Sequence, residues 1–98
     1  MFDYKVFRAG SDVLVAIADS SIVGKKFSEG GLELEVKRDF YGGMKCDERK
    51  AVKIVNSATI VNAVGKDIVS LLLKKGFVDG DKVIKVQKIP HAQIVVVK

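Results

Sequence analysis

The sequence predicts an α+β fold: a largely antiparallel sheet with two central helices packed on one face. An N-terminal hairpin, a third strand and two C-terminal strands would build the sheet. Three observations carry this expectation. The two ends of the chain hold apolar or alternating runs of strand length. The middle carries apolar residues at helical spacing. The length of 98 residues, 48% hydrophobic, suits one core and one domain spanning 1–98.

Phe2 to Arg8 alternates apolar and polar residues, as a half-buried strand does. Val13 to Ala18 is an almost unbroken apolar run, which fits a strand covered on both faces. With Ala9-Gly10-Ser11-Asp12 between them, the pair reads as a hairpin on a four-residue loop. Asp19 to Gly24 reads as a turn or one helical turn, capped by Asp19 or Ser20 and closed by Gly24. After the Ser28-Glu29-Gly30-Gly31 turn, Leu32 to Lys37 alternates and predicts the third strand, with one wet face. Residues 38–43 then read as a loop. Asp47 is a candidate N-cap for a helix that presents Ala51, Val52, Val55 and Ala58 on one side. Asn56, Ser57 and Thr59 should break it. A second helix is expected to carry Val61, Val64, Ile68, Leu71 and Leu72, ending at Lys74-Lys75-Gly76. Val69 and Leu73 would form its far side, either buried in the core or used by a second copy of the chain. Val83–Val86 and Ile94–Val97 supply the last two strands.

Composition narrows the function classes. The net charge is +5 and the pI about 9.4, which favours polyanionic partners such as RNA over acidic proteins. One cysteine, Cys46, excludes an internal disulfide. No apolar run reaches membrane-spanning length and the N-terminus has no signal-peptide pattern. A cytoplasmic protein without membrane attachment is the expectation. With one histidine and one cysteine, a zinc centre of the usual kind cannot form. There is no phosphate-loop or dinucleotide glycine motif, and no facing pair of carboxylates. No catalytic residue, metal or cofactor is therefore assigned.

Three segments carry candidate chemistry. The stretch from Lys37 to Lys53 holds six basic residues against three acidic ones, around Tyr41 and the paired glycines Gly42 and Gly43. Cations interleaved with aromatics suit phosphate contacts and base stacking. Asn62 precedes Gly65; either Asn62 caps the second helix or Gly65 permits another element to approach closely. Pro90-His91-Ala92-Gln93 places the only proline and the only histidine at a strand entry, with Gln93 on the same side as His91. Simpler structural roles stand beside each: core-capping aromatics, ordinary helix capping, and a histidine pinned to its own loop.

Phe40-Tyr41-Gly42-Gly43, Ala58-Thr59-Ile60-Val61-Asn62-Ala63-Val64-Gly65 and Ile89-Pro90-His91-Ala92-Gln93, taken together, closely resemble an uncharacterised group of small archaeal proteins. This is the family called domain of unknown function 424, and the resemblance covers nearly the whole chain. It implies an archaeal, cytoplasmic origin and a loose association with information processing. It supplies no catalytic or binding residues.

The leading expectation is a small module that binds RNA or a ribonucleoprotein. Lys37, Arg38, Lys45, Arg49 and Lys53 would hold phosphates. Tyr41 would stack on a base beside Gly42 and Gly43, and His91 with Gln93 would make polar contacts. One alternative is a small-molecule binder or enzyme with Asn62, His91 and Gln93 in one pocket. Another is a structural interaction domain, pairing with a second copy through the Val69/Leu73 face or an edge strand.

Overall fold

A computed structural model describes residues 1–96 of the chain. Among the described residues, eight strands and three helices form an α+β fold. Strands β1 (Phe2–Ala9) and β2 (Asp12–Asp19) pair antiparallel with Ala9 opposite Asp12. The loop is thus the two residues Gly10 and Ser11, not four. Gly10 has φ +60°, the first position of a type II′ turn, whose twist matches the flanking strands. A 3-10 turn (Ser20–Ile22) follows, as expected after Asp19.

The third strand is where expectation and structure part. Lys26–Glu29 forms an unforeseen strand, β3, and pairs with β4 (Leu32–Glu35) through Gly30 and Gly31. This ribbon is a separate two-stranded sheet. Leu34 is buried but Leu32 is 53% exposed, so the alternating run has little apolar face to offer the main sheet. Residues 38–41 form one helical turn, α1 (Arg38–Tyr41), and Met44–Cys46 forms edge strand β5.

Helix α2 (Glu48–Ser57) begins as expected, with the Asp47 carboxylate accepting from the Lys50 amide at 2.9 Å. The next segment differs. Ile60–Val64 is strand β6, and α3 (Lys66–Lys74) begins only after Gly65. Val61 and Val64 fall at helical spacing with Ile68 by coincidence. The five residues are a buried run at the centre of the sheet, where the chain needs apolar side chains on both faces. Asn62 is therefore mid-strand and caps no helix. A turn at Gly80–Lys82 leads to β7 (Ile84–Val86) and β8 (Ile89–Val95). Gln87 and Lys88 join them with φ of +50° and +66°, a type I′ turn made without glycine. The Ile89–Pro90 peptide is trans. Of the predicted closing strand, Val97 lies outside the described residues.

The six-stranded sheet runs β5-β1-β2-β6-β8-β7. Among the described residues, only β2 and β6 pair in parallel. Period-two alternation sorts the side chains. Phe2, Tyr4, Val15, Ile17, Val61, Ala63, Ala92 and Ile94 face α2 and α3, which pack together on that side. Ala16, Ala18 and Val64 face the opposite way, towards α1 and the β3–β4 ribbon. The two larger helices lie on one face, as predicted, while the second face is only partly covered.

Asp19 holds the two layers in register. Its carboxylate accepts from the amides of Asp67 and Ile68, both at 2.9 Å, and so caps α3 from a residue far away in sequence. Burial raises its pKa above the ordinary value; the two amide bonds pull the other way but do not prevail. Gly65 makes room for this cap. A Cβ at Gly65 would stand 2.4 Å from the Asp19 carboxyl carbon, and its φ of +125° already favours glycine.

Candidate functional site

The second sheet face brings together three residues that the sequence singles out in separate segments. Tyr41 is delivered by α1, Asn62 by β6 and His91 by β8. Asn62 Oδ1 accepts from the Tyr41 hydroxyl at 2.6 Å and from His91 Nε2 at 2.8 Å. A carboxamide oxygen can only accept, so the imidazole proton sits on Nε2 and leaves Nδ1 as an acceptor. Among the described residues Asn62 Nδ2 and His91 Nδ1 have no hydrogen-bond partner, and no buried side-chain nitrogen or oxygen is unsatisfied. Both free atoms therefore meet solvent. Gln93 is the ladder partner of Asn62, lies two residues beyond His91 on the same face, and is exposed. Half-buried Ile60 and 74%-exposed Val95 continue this face at its uncovered end.

Electrostatics make the cluster neutral. Burial pushes the Tyr41 phenol up to about 12 and lowers the His91 pKa from its ordinary 6.5. At neutral pH the cluster is thus an uncharged set of donors and acceptors, poorly suited to proton transfer.

The other predicted residues divide. Tyr41 is only 4% exposed, edge-on to Phe40 at 4.9 Å between ring centroids, and cannot stack on a base. Its role is to orient Asn62. Gly42 serves the fold rather than a ligand: a Cβ there would stand 2.7 Å from the Arg38 carbonyl oxygen. Gly43 is exposed, with φ +132°. Lys45 is committed to buried Asp3, at 2.8 Å. Burial would raise the Asp3 pKa, but the bonds from Lys45 and Ser20 outweigh it and the carboxyl is held below its usual value. Lys37 precedes α1 and Arg38 opens it; both are exposed, and Arg38 lies towards Gly24 and Asp3. Arg49 and Lys53 lie across the sheet from the cluster, on the rim of an α2–α3 groove of about 480 Å³. One continuous basic interface through all five cations does not exist.

Asn62 and His91 line none of five surface clefts; Gln93 borders a different one, with the Gly76–Lys82 segment. None of these five clefts brings Asn62, His91 and Gln93 together. Among the described residues no group of three or more acidic, histidine or cysteine side chains could hold a metal ion. No helix is long and apolar enough to cross a membrane.

Sequence reasoning missed Asp3 and Ser20. Their 2.5 Å bond, with Lys45, ties β1 to the 3-10 turn and β5. Asp3 sits at a polar place in an alternating strand, where a solvated side chain is the ordinary reading. Nothing local reveals that Lys45 will arrive from the strand alongside.

A family model described as "Protein of unknown function (DUF424)" matches residues 7–97. The chain belongs to the DUF424 family. No curated protein matches it. A solved structure, the crystal structure of an uncharacterized conserved protein from Methanopyrus kandleri, is similar to this DUF424 chain with a TM-score of 0.80 and 21% identity. The match covers 99% of this chain and 94% of that one. At that identity the likeness shows a shared fold. The three segments that carry the family resemblance in sequence are, in the fold, the three that meet at Asn62.

Proposed function

We propose that this DUF424 domain binds single-stranded RNA, free or within a ribonucleoprotein, across the open half of its second sheet face. One observation carries the reading. The Tyr41–Asn62–His91 cluster fixes Asn62 and His91 through internal bonds, yet turns a free amide donor and a free ring acceptor to solvent beside the Gln93 carboxamide. Rigid, neutral donor and acceptor groups on a flat surface match the hydrogen-bonding edges of unpaired bases. Ile60 and Val95 offer apolar surface for the base faces. Exposed Lys37 and Arg38, just before Tyr41 in the chain, are the candidate phosphate contacts, and the +5 net charge favours encounter. The cytoplasm is the compartment this reading implies, with Cys46 kept as a buried thiol.

Fluorescence anisotropy with a labelled, mixed-sequence single-stranded RNA tests it. Binding should weaken with salt, with a log–log slope near −2 if about three phosphates are neutralised. Gln93→Ala should weaken binding several-fold and leave the urea midpoint unchanged, because Gln93 is exposed and holds no internal bond. Charge reversal at Arg49 and Lys53 should change affinity little. No binding at about 50 mM salt, or binding insensitive to salt, contradicts the reading.

A further inference from the structure

On the other face of the sheet a cleft of about 740 Å³ opens between α3 and the β7–β8 hairpin. It is where the Val69/Leu73 side of α3 falls. Val69 is buried beneath it, while Leu73 is 38% exposed on its wall. Val83 and Pro90 complete an aliphatic lining. The cations in it are Lys66, Lys85 and Lys88, and no carboxylate among the described residues lines it.

Charge is segregated along the cleft. Lys85 pairs across the ladder with Pro90, and the Pro90 carbonyl accepts from the Gly65 amide, next to Lys66. Lys88 is the turn residue just before Ile89 and Pro90. All three ammonium-bearing residues therefore surround the start of α3. Leu73 lies two turns further on, about 10 Å along the helix, in the apolar half with Val83. Of the carboxylates near the cationic end, Asp19 caps α3 and Glu29 accepts from the Gln87 amide at 2.9 Å, while Asp67 is exposed beside Lys66 but does not line the cleft.

This polarity argues against a second copy of the chain as the occupant. A second copy seated cleft to cleft would bring no carboxylate to these lysines, because none among the described residues lines the cleft. It fits instead a ligand with an anionic head and a flat apolar body. We infer that the cleft binds a free nucleoside monophosphate, its phosphate among Lys66, Lys85 and Lys88 and its base against Leu73 and Val83. Lysines suit a phosphate as mobile point charges, and a cleft of this volume suits one small ligand held on aliphatic walls. The site lies opposite the Asn62 cluster and does not depend on the RNA reading.

Nuclear magnetic resonance of the ¹⁵N-labelled protein tests the inference, titrating AMP, GMP, CMP and UMP in turn, then adenosine and inorganic phosphate. At least one monophosphate should shift the amides of residues 66–73 and 83–90, and bind more tightly than either adenosine or phosphate. The double variant Lys66→Glu, Lys85→Glu should lose about tenfold or more in affinity, with unchanged circular dichroism, since both side chains are exposed. Phosphate binding as well as every monophosphate would reduce the cleft to an unspecific anion site and overturn the inference. So would adenosine binding equally well, or no shift with any nucleotide at millimolar concentration. An unphosphorylated RNA oligonucleotide that displaces the monophosphate would reassign the cleft to RNA and likewise overturn it. Loss of RNA binding at the Asn62 face, by contrast, would leave these shifts intact.

Discussion

At Asn62 one carboxamide oxygen takes two donors, and the nitrogen on the same group is left for something outside the protein. Tyr41, Asn62 and His91 stand out in the sequence for separate reasons: an aromatic beside paired glycines, an asparagine ahead of Gly65, and the only histidine next to the only proline. That they meet cannot be read there, since the bonds span 21 and 29 positions and depend on strand order. The histidine carries a testable pH dependence. Burial depresses its folded pKa below 6.5, so as pH falls the unfolded chain takes up the proton first. The stabilisation by neutral His91 is full above about 6.5 and is lost as pH drops through the folded value. Urea midpoints at pH 8 and pH 5.5 should show a larger acid-side loss for the wild type than for His91→Gln, which keeps an amide donor and cannot titrate. An equal loss in both proteins would mean that His91 titrates freely.

At the scale of elements, the junction of β2 with α3 shows what periodicity conveys and what it hides. The apolar run to Ala18 and the lysine-glycine end of α3 are legible because local chemistry decides them. The start of α3 is not. Its cap comes from Asp19, 48 positions away from Asp67, and reads locally as the cap of the neighbouring turn. Likewise β6 is a short buried run whose helical spacing is accidental, and β3 lacks the apolar alternation that marks a strand. The junction makes a sharp energetic prediction. Asp19→Ala should cost about 1–2 kcal/mol by uncapping α3. Gly65→Ala should cost about 2–4 kcal/mol, combining backbone strain with the collision against the Asp19 carboxylate. In the double variant the collision is gone, so the two penalties should sum to more than the measured loss. Additive urea-derived values would show that Gly65 and Asp19 are not coupled.

For the molecule as a whole, the outline was legible: one α+β domain with its two main helices on one side of a largely antiparallel sheet. The predicted basic partner surface was legible only as a net charge. Folding divides that charge. Arg49 and Lys53 stand on the helical side, Lys66, Lys85 and Lys88 surround the cleft on that same side, and Lys45 is spent on Asp3. Lys37 and Arg38 stand exposed at the start of α1, with Arg38 towards Gly24 and Asp3. A domain divided in this way should show faces that act independently, a property no count of lysines along the chain contains. The most direct test of the central claim is the footprint of a single-stranded RNA on the ¹⁵N-labelled protein. The account predicts amide and side-chain shifts at Ile60, Asn62, His91, Gln93 and Val95, including the Asn62 Nδ2 resonances, with α2 unchanged. Shifts centred on Arg49 and Lys53, with the Asn62 side chain silent, would contradict it.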